Sequence, residues 1–421
     1  MYLESRNQIS LPLDIPNVKV LSTTLNDQGD YIITVESTKT EATCQHCGRK
    51  ITKFHSHSHW IKLRHLSILG HRVYIRLRPR RYECPDCNGQ TTTQELDWYA
   101  PKSPHTRAYD EYLMLLLINS TVVDVSRKEQ VGEDAVEGAL ERCLREQVDW
   151  TQFDQLNIIG IDEIALTKGH KNYAAIISSR QADGHVAILA VLADRTKESV
   201  RAFMESIPPR LRPTIGHVCT DMWEGYANAA TEFAQAHDEV ELEVVADRFH
   251  VAKNYRECVD TIRKQECRRL KKELPASEYE TIKGVMWIIR QNHRDLSPAE
   301  RLKLRLLFEY SSALKAVYTL REELTAIFEL PLTKTEGQHR LERWIAKVNR
   351  SGLTAFNPFL TTLHNWFDEI TNYFTDRLNS GFVEGVNNKI KTLKRRCYGI
   401  LNTKTLFQRL YLDLEGYRQF S

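Results

Sequence analysis

Three carboxylates are spaced through the second half of this 421-residue chain. Asp162 closes the run Asn157-Ile-Ile-Gly-Ile-Asp162 and Asp221 closes His217-Val-Cys-Thr-Asp221. Glu384 lies in Asn379-Ser-Gly-Phe-Val-Glu384-Gly-Val-Asn-Asn-Lys, just before a stretch rich in Lys and Arg. Two acids at strand ends and a third on a late basic helix suit a site that holds divalent metal and works on a phosphodiester. Oxygen-only ligand sets favour Mg²⁺ or Mn²⁺, and two such ions can clamp the attacking and leaving oxygens of an in-line displacement. A second chemistry is carried by Cys44-Gln-His-Cys47-Gly48 and Cys84-Pro-Asp-Cys87-Asn-Gly89. Each pair is followed by a turn-forming residue that lets backbone N–H groups point at thiolate sulfurs, the pattern of a zinc ribbon with Zn²⁺ on four cysteines. The 36 residues between the pairs exceed the roughly 15–20 of the simplest pattern, so a loop or extra strand is inserted. A redox Cys-x-x-Cys would not explain two copies. His55, His57 and His59 alternate on one strand face; an exposed face or phosphate contacts suits them better than replacement of a Cys ligand.

The elements that must position these groups are legible in the periodicity. Val18 to Leu25 and Tyr31 to Ser37 form a hairpin across the turn residues Asn26 to Asp30, and Arg72 to Arg78 alternates like a strand. Residues 91–150 read as helical, with an apolar face from Arg107 to Asn119. A short helix begins at Thr121, a turn falls at Gly132, and a further helix carries Val136, Leu140 and Leu144, which is the helix-turn-helix pattern. The acidic start of that last helix (Glu133, Asp134, Glu137) is unusual for a major-groove reader, and a plain three-helix connector is the alternative. From residue 155 the order is βββαβαβ, with Asp183-Gly184 hairpin chemistry between the second and third strands, which indicates a mixed sheet covered by helices. Residues 251–377 are helical almost throughout, a domain-sized insertion. A final helix from Asn379 places Glu384, Asn388 and Lys391 on one face. Strand ends are where open α/β sheets place their chemistry, but Asp194 and Asp247 sit at strand ends too. Position alone does not choose two of the four.

Hydrophobic residues are 42% of the chain and charged residues 27%, a globular composition. The length calls for two to four domains. No apolar run approaches a membrane span and the N-terminus lacks a secretory layout, so the expected location is the cytoplasm, with nucleoid association when bound to DNA. Nine cysteines, an odd count, argue against a disulfide framework. The net charge of +3 says little, but its distribution says more. Ten Lys or Arg face two acids between Cys44 and Cys87, and seven face none between Gly385 and Tyr411. Such density suits phosphate backbones and nominates Arg76, Arg78, Arg80 and Arg81 early, and Lys389, Lys391, Lys394, Arg395 and Arg396 late, as DNA contacts.

Taken in order, the paired Cys-x-x-Cys motifs, the helix-turn-helix, Gly160-Ile-Asp162-Glu, Asp221-Met-Trp, Asp247-Arg-Phe-His250-Val and the Glu384 motif with Lys394-Arg-Arg after it resemble a DDE-class insertion-sequence transposase, of the family typified by the element ISL-three. The resemblance spans roughly residues 40–410. It implies an RNase H-like catalytic core (155–250 and 378–415) interrupted by a helical insertion (251–377), preceded by an N-terminal β segment (1–40), a zinc ribbon (41–90) and a helix-turn-helix domain (91–150). It also implies Asp162, Asp221 and Glu384 as the catalytic acids and ligands of two Mg²⁺ or Mn²⁺ ions, Asp247 and His250 as accessory residues, and double-stranded DNA (element ends and target) as partner. A homodimer or larger synaptic assembly follows by the same analogy. Two other classes compete. An RNase H-like nuclease or resolvase would cut without joining; a non-catalytic zinc-ribbon DNA-binding regulator would not need the three acids.

Overall fold

The computed structural model describes residues 12–167, 172–378 and 381–421, apart from the side chains of Met286 and Trp287. Packing divides the chain into two units: the described residues through Glu146 together with Gln408–Ser421, and Gln147–Phe407.

In the first unit, a four-stranded sheet runs in the order Val18–Leu25, Tyr31–Ser37, His71–Leu77, Ile61–Ile68. The Asn26 side-chain oxygen accepts from the N–H groups of Gln28 and Asp30 and fixes the first turn. Tyr31–Val35 then pairs in parallel with Val73–Leu77. Ile33, Val35, Leu63, Val73, Ile75 and Leu77 fill the core beneath. The ribbon itself is a sheet of Lys53–His57, Arg80–Glu83 and Thr91–Thr93 beside a short pair, Ala42–Thr43 with Lys50–Ile51. The long gap between the cysteine pairs is therefore occupied by the hairpin strands Ile61–Ile68 and His71–Leu77, which join the N-terminal hairpin rather than the ribbon. The helical reading of residues 91–150 is corrected at its start. Thr91, Thr92 and Thr93 pair with Glu83, Tyr82 and Arg81, as three β-branched residues in a row favour. Helices Arg107–Leu117, Val122–Glu129 and Glu133–Cys143 follow. Thr121 caps the second helix, and Gln130 ends it in the left-handed region at φ 55°. Their core takes in Tyr109, Leu113, Leu117, Val125, Val136 and Leu140, with Leu412 of the C-terminal helix Thr403–Phe420.

In the second unit, a five-stranded sheet runs in the order Val186–Leu192, Tyr173–Arg180, Asn157–Ala165, Ile215–Thr220, Glu243–Ala246. The first three strands in the chain pair antiparallel, and the last two add in parallel. This is the RNase H-like mixed sheet. Helices Lys197–Glu205 and Glu224–Ala236 cover one face, where Ile159, Ile161, Val218 and Val244 meet Val200, Met204, Tyr226 and Phe233. Beyond Glu243–Ala246 the chain is helical from Arg248–Glu273 to Tyr373–Asp376, around a core that includes Tyr255, Leu314, Leu341, Trp344 and Phe359 and is continuous with Cys219, Val245 and Ala246 of the sheet.

The helix Gly381–Arg396 returns to the central strand (Asn379 and Ser380, where the sequence starts this helix, lie outside the described residues). Its approach depends on Gly160. A Cβ there would stand 2.5 Å from Val383 Cγ2 and 2.8 Å from the Phe382 ring. Gly160→Val is expected to force the helix off the strand, at a cost of about 1–3 kcal/mol as for other overpacked cores. Denaturant unfolding should show the loss while the far-UV circular dichroism of the folded protein stays close to wild type; wild-type stability would refute the contact.

Candidate active site

The pairing register sets three aspartates side by side. Ile161 pairs with Thr220, and Thr220 with Ala246. The next residues along three adjacent parallel strands are thus Asp162, Asp221 and Asp247, spaced about 4.8 Å apart along the sheet edge. The Asp247 N–H donates to Thr220 O at 2.8 Å and fixes that edge. The sequence reading of Asp162 as a strand-end acid is corrected: its strand continues to Ala165, whereas Asp194, Asp221 and Asp247 lie just past the ends of theirs. The four acids are not equivalent. Asp247 caps the 26-residue helix Arg248–Glu273 by accepting from Phe249 N at 2.7 Å. Asp194 accepts from the N–H and hydroxyl of Thr196; the Ser199 hydroxyl first, then these two bonds, hold its carboxyl below the usual range. Among the described residues, Asp221 has only a 3.4 Å contact from the Thr220 hydroxyl. Burial, then the charge of Asp162, push its carboxyl up to about 6. Burial raises Asp162 as well, against the lowering pull of the Glu163 N–H, His250 and Asn387. His250 lies one turn into the capped helix, its Nε2 3.9 Å from Asp247 Oδ2.

The helix Gly381–Arg396 turns Val383, Asn387 and Ile390 inward. The Asn387 side-chain N–H donates to Asp162 Oδ2, and Lys394 Nζ donates to the Ala165 carbonyl, where burial holds its ammonium below its usual range. Glu384, Asn388 and Lys391 share the solvent stripe. Glu384 is exposed, one turn before Asn387, so their Cβ atoms are about 5–6 Å apart. Sequence reading named the row of acids but missed Asn387 as the partner of Asp162. The signal was there as the heptad-like recurrence of 383, 387, 390 and 394 beneath the Glu384 face. It also passed over Glu163, which pairs with Arg195 at 2.8 Å, and Tyr226, whose buried hydroxyl has no hydrogen-bond partner among the described residues and lies in the field of Glu163, Asp221 and Asp162.

Among the described residues, the one set of three or more His, Cys, Asp or Glu ligand atoms within 4.8 Å of one another is Cys44, Cys47, Cys84 and Cys87; Asp162, Asp221 and Glu384 do not close into such a set. The sulfurs of Cys44 and Cys87 are 3.9 Å apart and those of Cys47 and Cys84 3.7 Å. A tetrahedron with Zn–S bonds of 2.3 Å has edges of about 3.8 Å, so the four thiolates fit that ion. Gly48 and Gly89 complete the two knuckles at φ +70° and +76°, their N–H groups donating to Cys44 O and Cys84 O. His55 and His57 sit exposed on Lys53–His57, away from this set.

The basic candidates divide. Arg80 pairs with Glu36 at 2.8 Å, Arg81 donates to the Thr91 hydroxyl, and Arg78 donates to Ser58 O. Arg76 is exposed, its guanidinium over the Trp60 ring at 4.5 Å. Lys391 and Arg395 are exposed on the last helix, whereas Lys389, Lys394 and Arg396 are partly buried.

A helix-turn-helix, a four-cysteine ribbon and an RNase H-like core with acids aligned across adjacent strands define a DDE-class transposase. Three family models match in the same order. One described as the zinc-finger of transposase IS204/IS1001/IS1096/IS1165 covers residues 40–87. The helix-turn-helix domain of transposase family ISL3 covers 94–144, and the ISL3 transposase model covers 159–410. The chain belongs to the ISL3 family of transposases. It is similar to the transposase for insertion sequence element IS1001 of Bordetella parapertussis, with 29% identity over 379 residues and 89% of each chain covered. Among solved structures, the Drosophila P element transposase strand transfer complex aligns over 75% of this chain and 92% of that one, at 12% identity and a TM-score of 0.43. No helix among the described residues is long and apolar enough to cross a membrane.

Two measurements test this geometry. The purified protein should carry one equivalent of Zn²⁺, lost in Cys84→Ser with weakened DNA binding; unchanged zinc content would count against the ribbon site. The second concerns pH. A carboxyl raised from 3.8 to about 6 in the fold keeps its full contribution below pH 4 and loses it as pH rises toward 6. Ionised Asp221 therefore costs the metal-free core on the order of 1–3 kcal/mol at neutral pH. In buffer without divalent cations at pH 7.5, Asp221→Asn should melt above wild type, and the gap should close by pH 4. A variant that melts lower at both pH values would sink this account.

Proposed function

We propose that the chain binds the terminal inverted repeats of an insertion sequence, cleaves the element ends and transfers the resulting 3′-OH strands to target DNA. The observation that carries this reading is the register that sets Asp162 and Asp221 side by side on adjacent parallel strands, both pushed up by burial. Two half-buried like charges side by side favour a cation, and a carboxylate-only set fits Mg²⁺ or Mn²⁺. Asp162 and Asp221 would hold it, with Glu384 joining from the first turn of its helix. When bound, the metal supplies Lewis-acid polarisation of the phosphate and a more acidic water.

The chain's own residues set the geometry around that chemistry. Asn387 fixes the Asp162 carboxylate. His250, held by the capped helix, places a donor beside the row for the scissile phosphate or the leaving oxygen. Water attacks the phosphodiester at each element end and frees a 3′-OH; that hydroxyl then attacks a target phosphate, so one bond breaks as each forms. Lys391 and Arg395, exposed beyond Glu384, and Arg76 on the N-terminal sheet are suited to phosphate contacts, which position DNA without reading it. The helix-turn-helix and ribbon supply end recognition, and synapsis of two ends calls for two or more copies of the chain.

The test is an in vitro assay with element ends, a target plasmid and Mg²⁺. Asp162→Asn is expected to lower both cleavage and joining by a factor of about 10³ or more, in the range for removal of a principal electrostatic element of a site, while binding to the ends persists. Glu384→Gln should do the same. Full cleavage by Asp162→Asn would overturn the assignment, and cleavage by wild type without any joined product would favour a nuclease or resolvase.

A further inference from the structure

Helix Arg248–Glu273 leaves the sheet at Asp247 and carries Arg248, Val251 and Arg256 along one side. Facing them are Arg290 and, from helix Ser312–Glu329, Arg321, Leu324 and Phe328. Between these elements lies a cavity of about 280 Å³. Four guanidinium groups line it, and they are not equally occupied. Arg290 pairs with Asp260. Arg321 donates to the carbonyls of Ile289 and Gln291 and to the Asn292 amide oxygen, with Glu322 at 3.7 Å. Arg248 reaches the Tyr373 hydroxyl at 3.4 Å and lies over the Phe328 ring. Arg256 donates to Ala252 O in its own helix and lies over the Phe249 ring. Among the described residues, neither Arg248 nor Arg256 has a carboxylate partner.

Two guanidinium forks without counter-charge, at the mouth of a cavity whose other walls are Val251, Leu324 and Phe328, suit a ligand with a phosphate at one end and a flat, weakly polar body. Arginine matches phosphate through paired N–H donors. The volume lies just below the ~300–1,000 Å³ of small-molecule sites, too small for a duplex and suited to one nucleotide. We propose that this cavity in the helical insertion binds a single nucleoside phosphate. The choice of a nucleotide among anions rests on the transposase reading; the site itself does not. The ligand's source is either an unpaired nucleotide of a DNA strand or a free nucleotide.

The experiment uses the full chain carrying Asp162→Asn, so that DNA stays uncut. Calorimetric titrations are made with deoxyadenosine monophosphate, with inorganic phosphate and with a single-stranded tetranucleotide. The mononucleotide should bind at least about tenfold tighter than phosphate, and Arg248→Gln with Arg256→Gln should weaken it about tenfold or more. Arg256→Gln alone, at an exposed position, gives the same reading at smaller size if the double variant fails to fold. Competition between tetranucleotide and mononucleotide marks a DNA strand as the source, and mononucleotide binding without competition marks a free nucleotide; both support the site. Equal affinity for phosphate and mononucleotide, no mononucleotide binding at millimolar concentration, or unchanged affinity in the variants would overturn it. Because binding is read without catalysis, a wild-type chain that never cuts DNA but binds the mononucleotide leaves this site standing, and one that cuts without binding removes it.

Discussion

The core depends on a bare stretch of backbone at Gly160. Strand Asn157–Ala165 is the seam of the sheet, antiparallel to one neighbour and parallel to the other. One of its faces must receive the helix Gly381–Arg396. With no side chain at Gly160, Val383 and Phe382 settle directly on the strand. That contact sets the rotation and depth of the helix, and these in turn decide which of its residues reach the strand end. Asn387 meets Asp162 and Lys394 meets the Ala165 carbonyl as consequences. Close packing transmits the fit without slack, so a chain returning after a long helical insertion is still placed to within a side chain's reach.

Electrostatics then separates acids that the fold makes look alike. Parallel register aligns Asp162, Asp221 and Asp247, but the sheet does not treat them equally. Asp247 spends its oxygen on the N-terminus of a long helix, where unsatisfied N–H groups and the aligned peptide dipoles favour a negative charge. Asp194 is likewise satisfied by the turn it begins. Asp221 is half-buried with, among the described residues, little besides a neighbouring hydroxyl, and it feels Asp162 beside it. A group placed so that its charged form is disfavoured is a better candidate for a site than one that is comfortable. That is a physical reason to single out Asp162 and Asp221, independent of family resemblance.

Much of this was legible in the chain, and the limits have identifiable causes. The cysteine spacing, the apolar strand runs, the Asp183-Gly184 turn and the helical character of 251–377 are local signals, and they appear in the fold as read. The parallel pairing of Tyr31–Val35 with Val73–Leu77 is not local. It puts strands lying between the two cysteine pairs into a different sheet from the ribbon, which no spacing rule could announce. Thr91–Thr93 was absorbed into a helical stretch because three residues are too few to show a period. The alignment of Asp162 with Asp221 needs the register of two strands far apart in the chain. The helix Gly381–Arg396 shows the same limit at finer grain. Its sequence predicts which residues share a face, but not which face meets the sheet, because Gly160 decides that from elsewhere.

Asn387 brings these constraints to one atom. Its amide donates to the carboxylate that burial disfavours as an anion, and its own side-chain oxygen is buried without a partner among the described residues. A neutral N–H offsets only part of the charge of Asp162 and none of that of Asp221. A divalent cation offers full charge to both, and Glu384 stands one turn along the same helix on the solvent stripe. The helix therefore sets two kinds of group at this end of the sheet: an amide already bonded to Asp162, and an exposed carboxylate whose negative charge offers that acid no relief by itself. The metal-free row of acids thus keeps an electrostatic cost that Asn387 offsets only in part.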